Sequence, residues 1–430
     1  MSTPDPNPEV RFLAALARLR PRIEDLAAGR EAAAAGLDAG RLGPLVDHNR
    51  LAPLLYRNLK AGGLDAALPA DILAALQQRL RQELLRGAIL EQATRELLEL
   101  FHQEGARVIL LRGLAVGESV YGDGALRPYS DLDLLLLKED LPAAKELLRG
   151  AGYGPSAKSL EDGYYERQHL HLLYVHRKTG VMAEIHWALD HRFTPWLVDY
   201  AEIFRDARPG TIAGAPALTL SPEDMLLSLC LHLVKHAPCV ELLLNQPDAA
   251  ERILAAGWWI HVLDVAEALE RGRDTLDWNR VADKARRWNI GAAVRASLRC
   301  AEQLLCAPVP AGLIENLGAT PPGRLARRLQ LWQLRALAPE AEKPTRRVAG
   351  FRHDVAFRPV RLLDALLYLW PDAAYLEKKY PDRGRFIRRW RHMADGCASL
   401  AFGLADLLRS QWRRGKTAPP DTIPAGLSRG

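Results

Sequence analysis

The sequence predicts an α+β fold: a small mixed-sheet domain flanked by N-terminal and C-terminal helical regions. Three observations predict it. Apolar residues recur every three or four positions from Val10 to about Leu100, and again from Pro222 to about Cys306. Between these stretches the pattern changes to short apolar runs of strand type. Arg dominates the cations, and Ala and Leu the apolar residues, a mix that favours helix over most of the 430 positions.

The elements follow in order. Residues 1–10 are Pro-rich and are expected to fray. Phe12, Leu13, Leu16, Leu19 and Ile23 then mark one helical face, and Gly36, Gly40, Gly43, Pro53 and Gly62 divide this region into short helices. Residues 107–112 read as a strand ending at Gly113, and 115–121 as one or two helical turns. A second strand starts at Asp131, and a helix with Pro142 near its first turn runs to Ala151. Residues 170–175 and 181–187 read as strands joined by a hairpin at 176–180. Residues 209–222 are expected to form a loop with one short strand. A last helical stretch, about 320–412, is rich in Arg, and the tail from Gly415 is expected to be disordered. The expected organisation is a helical region (1–99), the mixed-sheet domain (100–220), a helical domain (221–320), an Arg-rich helical region (321–414) and a tail (415–430).

Composition narrows the class. A net charge of +6 fits phosphate-bearing ligands but identifies no partner. Five scattered cysteines without a CxxC pair read as reduced, buried thiols of a cytoplasmic protein. The N-terminus lacks a signal-peptide pattern, and no apolar run has the length of a membrane span. The nearest, 397–408, is too short and contains Asp406.

The chemistry centres on Ser130-Asp131-Leu132-Asp133 at the start of a strand. Strand side chains alternate, so Asp131 and Asp133 point to one face. Such a pair can share hard divalent cations, and phosphoryl and nucleotidyl transfer often use two, about 4 Å apart. Glu184 sits inside an apolar strand, where an unpaired carboxylate is costly and a metal would offset that cost. Gly113 allows close backbone approach, the helix start after it suits phosphate, and Arg112 adds a cation. Arg127 could reach a phosphate or brace the two aspartates. An Asp-x-Asp pair alone more often marks a solvated turn, but four consecutive leucines follow this one. Glu184 read alone could be an edge-strand residue, and His186 reads as packed or hydrogen-bonded.

These stretches resemble the DNA polymerase β-type nucleotidyltransferase superfamily. More narrowly, the chain resembles the uncharacterised bacterial nucleotidyltransferase family labelled type 5. Leu110-Leu-Arg-Gly113 is similar to its strand and turn, Arg127-Pro-Tyr-Ser-Asp-Leu-Asp133 to its Arg-x-x-x-Asp-Ile-Asp signature, and Ala183-Glu-Ile-His-Trp187 to its Glu-x-His-Trp strand. The helical stretch with His232, His236 and Asp264 is similar to its C-terminal half. The resemblance implies a two-Mg²⁺ site of Asp131, Asp133 and Glu184, with Mn²⁺ as a substitute, and a nucleoside triphosphate donor, ATP first. In the superfamily a Ser or Gly usually follows the turn glycine, whereas Leu114 stands here. Phosphate grip is then expected from Ser119 or Ser130, or from Arg112 and the helix start.

The remaining features have bland readings. His232 and His236, one helical turn apart, lack a zinc protease's intervening Glu and any nearby third ligand. They read as packed or hydrogen-bonded, with nucleotide contact as the alternative. Asp264 is expected to pair with one of them, and Trp258, Trp259 and Trp278 to be core. The Arg-rich segment, with Arg324, Arg346, Arg385 and Arg389, reads as a solvated face, with nucleic acid or a membrane surface as possible partners. The expected function is nucleotidyl transfer, and the alternative is a nucleotide-binding regulatory or scaffold protein with a degenerate site.

Overall fold

The computed structural model describes residues 7–156, 166, 169–190, 196–237, 239–317, 373–381, 383–384 and 386–394. Four short helices open the chain: α1 (Pro8–Leu16), α2 (Ile23–Ala34), α3 (Ala39–His48) and α4 (Ala52–Ala61). The expected fraying gives way before residue 10. The Asn7 side chain caps α1 by accepting from the Glu9 amide at 3.0 Å, and Val10 and Phe12 are buried. Helix α5 (Ala70–Gln103) is long and serves two cores. Ile72 and Leu76 belong to one, and Leu90, Leu97 and Phe101 to the other.

A seven-stranded mixed sheet follows. Its strands are β1 (Ile109–Leu110), β2 (Asp131–Leu135), β3 (Tyr153–Pro155), β4 (His171–His176), β5 (Met182–His186), β6 (Arg208–Ile212) and β7 (Ala215–Thr219). Their order is β3-β4-β5-β2-β1-β7-β6. The β2–β5 and β1–β7 pairs are parallel and the others antiparallel. Helix α6 (Leu114–Val116) continues into a wide turn over Gly117–Tyr121, α7 (Leu141–Gly150) packs beside β3, and α8 (Tyr200–Asp206) leads into β6.

Three local expectations change. The first strand shortens to Ile109–Leu110, because the chain turns at Gly113 with φ +62°. Residues 208–219 form a full hairpin instead of a loop. Ala213 and Gly214 at its tip have φ of 53° and 77°, the left-handed pair that a two-residue turn needs to match strand twist. Strand β3 was not expected.

The closing helices are α9 (Pro222–His236), α10 (Trp259–Arg271), α11 (Trp278–Arg287) and α12 (Gly291–Leu305), with shorter turns between α9 and α10. They share one apolar core with α1–α4, so the two helical regions close on each other beside the sheet. Trp259, fully buried, donates its indole N–H to the Ala17 carbonyl at 3.1 Å, and Arg18 donates to the Leu305 carbonyl at 3.0 Å. Cys230, Cys239 and Cys300 are buried as expected, whereas Cys306 is exposed at the end of α12. Cys397, the tail and most of the Arg-rich segment lie outside the described residues. No helix among the described residues is long and apolar enough to cross a membrane.

Candidate active site

Strand alternation builds the floor of the site. Leu132 and Leu134 of β2, and Ala183 and Ile185 of β5, pack into the core beneath α5 and α7. Asp131, Asp133, Glu184 and His186 therefore face the other way. The parallel register sets Asp133 beside Glu184, and the antiparallel register sets His171 beside His186. Between this face and the helices lies a cavity of about 400 Å³. Its size falls in the roughly 300–1,000 Å³ range of small-molecule sites.

The carboxylates are crowded and unequal. Arg112 grips Asp133 with two bonds, Nε to Oδ2 at 3.0 Å and Nη2 to Oδ1 at 2.9 Å. His186 Nε2 lies 2.8 Å from Asp133 Oδ1 and 3.2 Å from Glu184 Oε2. Burial opposes the Asp133 charge, but Arg112 and His186 hold its carboxyl well below the usual range. Burial also opposes charge on His186, and the hydrogen bonds to Asp133 and Glu184 outweigh it, raising its pKa. Glu184, though dehydrated, is held low by His186 and His171. Asp131 has no ion pair among the described residues. Burial, then repulsion from Asp133 and Glu184, push it up to about 6. Negative charge at this end of the floor exceeds what the adjacent cations balance. A hard divalent cation beside Asp131 would relieve this repulsion.

Residues 35–306 match a family model described as an uncharacterised nucleotidyltransferase. The chain belongs to this family. No curated protein and no solved structure matches it. The matched span contains the whole sheet and every residue lining the cavity.

The other expected residues fall in different places. Gly113 lines the cavity, and its positive φ is joined by a tight contact, since a Cβ there would meet the Tyr129 ring at 3.0 Å. Ser130 lines it too, 3.3 Å from Asp131 Oδ1. Ser119 is not among the lining residues; it is exposed, and its hydroxyl bonds back to the Ala115 carbonyl at 2.5 Å. Leu114 is buried in the core, away from the cavity. The helix after Gly113 is only three residues long, so few peptide dipoles add up there.

Arg127 borders the cavity but spends its guanidinium elsewhere. Its Nε and Nη2 reach both Asp264 oxygens at 3.0 and 2.6 Å, and the Tyr121 hydroxyl donates to the same carboxylate at 2.9 Å. Asp264 thus pairs with Arg127, not with a histidine. This buried clamp fastens the loop before β2 to α10.

Two cations that sequence reading missed line the opposite side: Arg50 and Lys235. Neither makes an ion pair among the described residues. Arg50 Nη1 is buried without a hydrogen-bond partner. Its pKa is lowered by burial and then by Arg86, and that of Lys235 by burial and then by Arg112. Cations under that strain favour an arriving anion. Asn49 sets the position of Arg50. Its amide donates to the Leu254 carbonyl at 2.7 Å and accepts from the Trp259 amide at 2.8 Å. The only sequence signal for Arg50 was its place after a helix.

Proposed function

We propose that this nucleotidyltransferase takes a nucleoside triphosphate, ATP first, and moves its nucleoside monophosphate to an acceptor hydroxyl or phosphate. The observation that carries the proposal is the convergence of Asp131, Asp133 and Glu184 on one sheet face at the cavity floor. Asp131, Asp133 and Glu184 would hold Mg²⁺, or Mn²⁺ in its place. When bound, two such ions supply charge neutralisation for the attacking oxygen and the leaving pyrophosphate. The acceptor oxygen forms a bond to the α-phosphorus while the α–β bridging bond breaks, and pyrophosphate leaves. The acceptor proton passes to Glu184, with His186 close enough to share the charge.

Arg50 and Lys235 take phosphate charge that was expected to fall to Ser119 or Ser130, or to Arg112 and the helix start. Gly113 lets the triphosphate come close to the backbone. Arg127 positions the Asp131–Asp133 strand through Asp264 and does not contact phosphate. A binding-only regulator is the second reading. It is favoured by Arg112 being engaged with Asp133. Nucleotide binding without pyrophosphate release would select it.

The test is calorimetry of each nucleoside triphosphate with and without Mg²⁺, on the native chain and on Asp131→Asn with Asp133→Asn. Mg²⁺-dependent binding that the double variant loses is the expected outcome. Equal binding by the variant would remove the carboxylates from the site.

A further inference from the structure

The helical wall of the cavity carries a second cluster that the proposed chemistry does not use. His232 and His236 project from one face of α9, and His261 meets them from α10. The third partner that the α9 sequence lacks locally is thus supplied by the helix packed against it. Ring centroids are 4.5 Å apart for His232–His236, 4.6 Å for His232–His261 and 4.6 Å for His236–His261. One ligand nitrogen from each ring lies within 4.8 Å of the other two.

We propose that His232, His236 and His261 form a transition-metal site of Zn²⁺ type, separate from the carboxylates and open towards the cavity.

The donor chemistry selects the metal class. Neutral imidazole suits Zn²⁺, Co²⁺, Ni²⁺ and Cu²⁺, whereas Mg²⁺ needs oxygen ligands. Three protein ligands with a free fourth position is the arrangement of reactive zinc centres, not of closed structural ones. With metal–nitrogen bonds of roughly 2.0–2.1 Å, each ring needs to move inward by less than about 1 Å.

Packing alone accounts poorly for the cluster. Nδ1 of His232 and Nδ1 of His261 are buried without hydrogen-bond partners. Leaving such a group unsatisfied is unfavourable, which a metal, or the imidazole turn that metal binding sets, would offset. Burial, then Arg112, holds His232 far below its ordinary pKa, and burial, then Arg127, lowers His261 to about 3.

Those same guanidiniums repel a dication, so the open position should carry an anion. A phosphate oxygen is the natural fourth ligand in a cavity with Arg50 and Lys235 on its wall. This last point rests on the proposed nucleotide reading; the metal site itself does not.

The test is titration of the metal-free native chain with Co²⁺ and Zn²⁺, following the Co²⁺ visible spectrum and metal content after dialysis, with excess Mg²⁺ present. One equivalent is expected, with the strong absorption of four-coordinate Co²⁺ displaced by Zn²⁺. Affinity should fall by more than about 100-fold in His236→Gln and in His261→Gln, beyond the effect of losing a group that only orients a ligand. It should persist in Asp131→Asn with Asp133→Asn. No binding by the native chain, a six-coordinate Co²⁺ spectrum, or loss only in the aspartate variant would overturn the site. Because the spectrum is read on the native chain, misfolding of a histidine variant would not leave the question open. Inorganic pyrophosphate should shift the Co²⁺ spectrum if a phosphate oxygen takes the fourth position. An unchanged spectrum would overturn the anion part alone.

Discussion

The two walls of the cavity were built by different means and hold opposite charge. The sheet wall presents Asp131, Asp133 and Glu184 from strands paired in register. The helical wall presents Lys235 and three histidines from α9 and α10, with Arg50 entering from the turn after α3. On the sheet wall two-residue periodicity turns Asp131 and Asp133 to one face, and the parallel pairing of β2 with β5 brings Glu184 beside them. On the helical wall the groups come from three separate stretches, the turn after α3, α9 and α10, and only packing brings these together. The comparison teaches where each kind of chemistry is legible. The carboxylates of the floor can be read from the local patterns of two strands, but the wall that would receive phosphate cannot.

The largest effect should come from breaking the clamp that joins the walls. Asp264→Ala leaves Arg127 buried and unpaired, and should destabilise the fold by about 3–5 kcal/mol in denaturant unfolding. A loss below about 1 kcal/mol would mean that the clamp relaxes and does not hold the walls together.

Asp131→Asn should do the reverse on the sheet wall. A carboxyl raised in the fold from 3.8 to about 6 binds its proton more tightly when folded than when unfolded. Its ionisation therefore costs stability, fully above about pH 6 and not at all once pH falls below about 4. At pH 8 without divalent ions the variant should be more stable by roughly 2–3 kcal/mol. Added Mg²⁺ should reverse the order by stabilising the native chain. A variant no more stable than the native chain at pH 8 would deny that the carboxylates are crowded.

On the opposite wall, Arg50→Ala and Lys235→Ala should each weaken ATP binding by about ten-fold to a hundred-fold, from about 1.5–3 kcal/mol per charged hydrogen bond. Calorimetry would read this, and unchanged affinity in both would place the triphosphate elsewhere. The smallest effect should be that of Ser119→Ala, whose hydroxyl serves only the Ala115 carbonyl. Its ATP affinity should stay within about two-fold of native, and a larger loss would return Ser119 to the site.

Particular residues show why some of the molecule was legible. Asp131 and Asp133 were readable as a same-face pair because strand geometry imposes alternation regardless of context. Glu184 was readable because a carboxylate inside an apolar run is conspicuous. The hairpin at 208–219 was missed because Pro209 and Gly210 look like loop residues, although Ala213-Gly214 carried a turn signal. Arg127 was assigned to phosphate or to the nearby aspartates because its true partner, Asp264, lies in another helix 137 residues away. Ser119 was chosen for closeness in sequence, and the wide turn over Gly117–Tyr121 carries it out of the cavity.

The sequence by itself determined the fold class, the family and the carboxylate floor. All three rest on periodicity and short motifs, which are local properties of a chain. Only the tertiary structure decided the opposite wall: the placing of Arg50 and Lys235, the Arg127–Asp264 clamp, and the meeting of His261 with His232 and His236. Those pairings depend on how the N-terminal helices, the sheet and α9–α12 share a core. A core of interchangeable Leu, Val and Ala side chains leaves no mark in the sequence of which polar groups it will bring face to face.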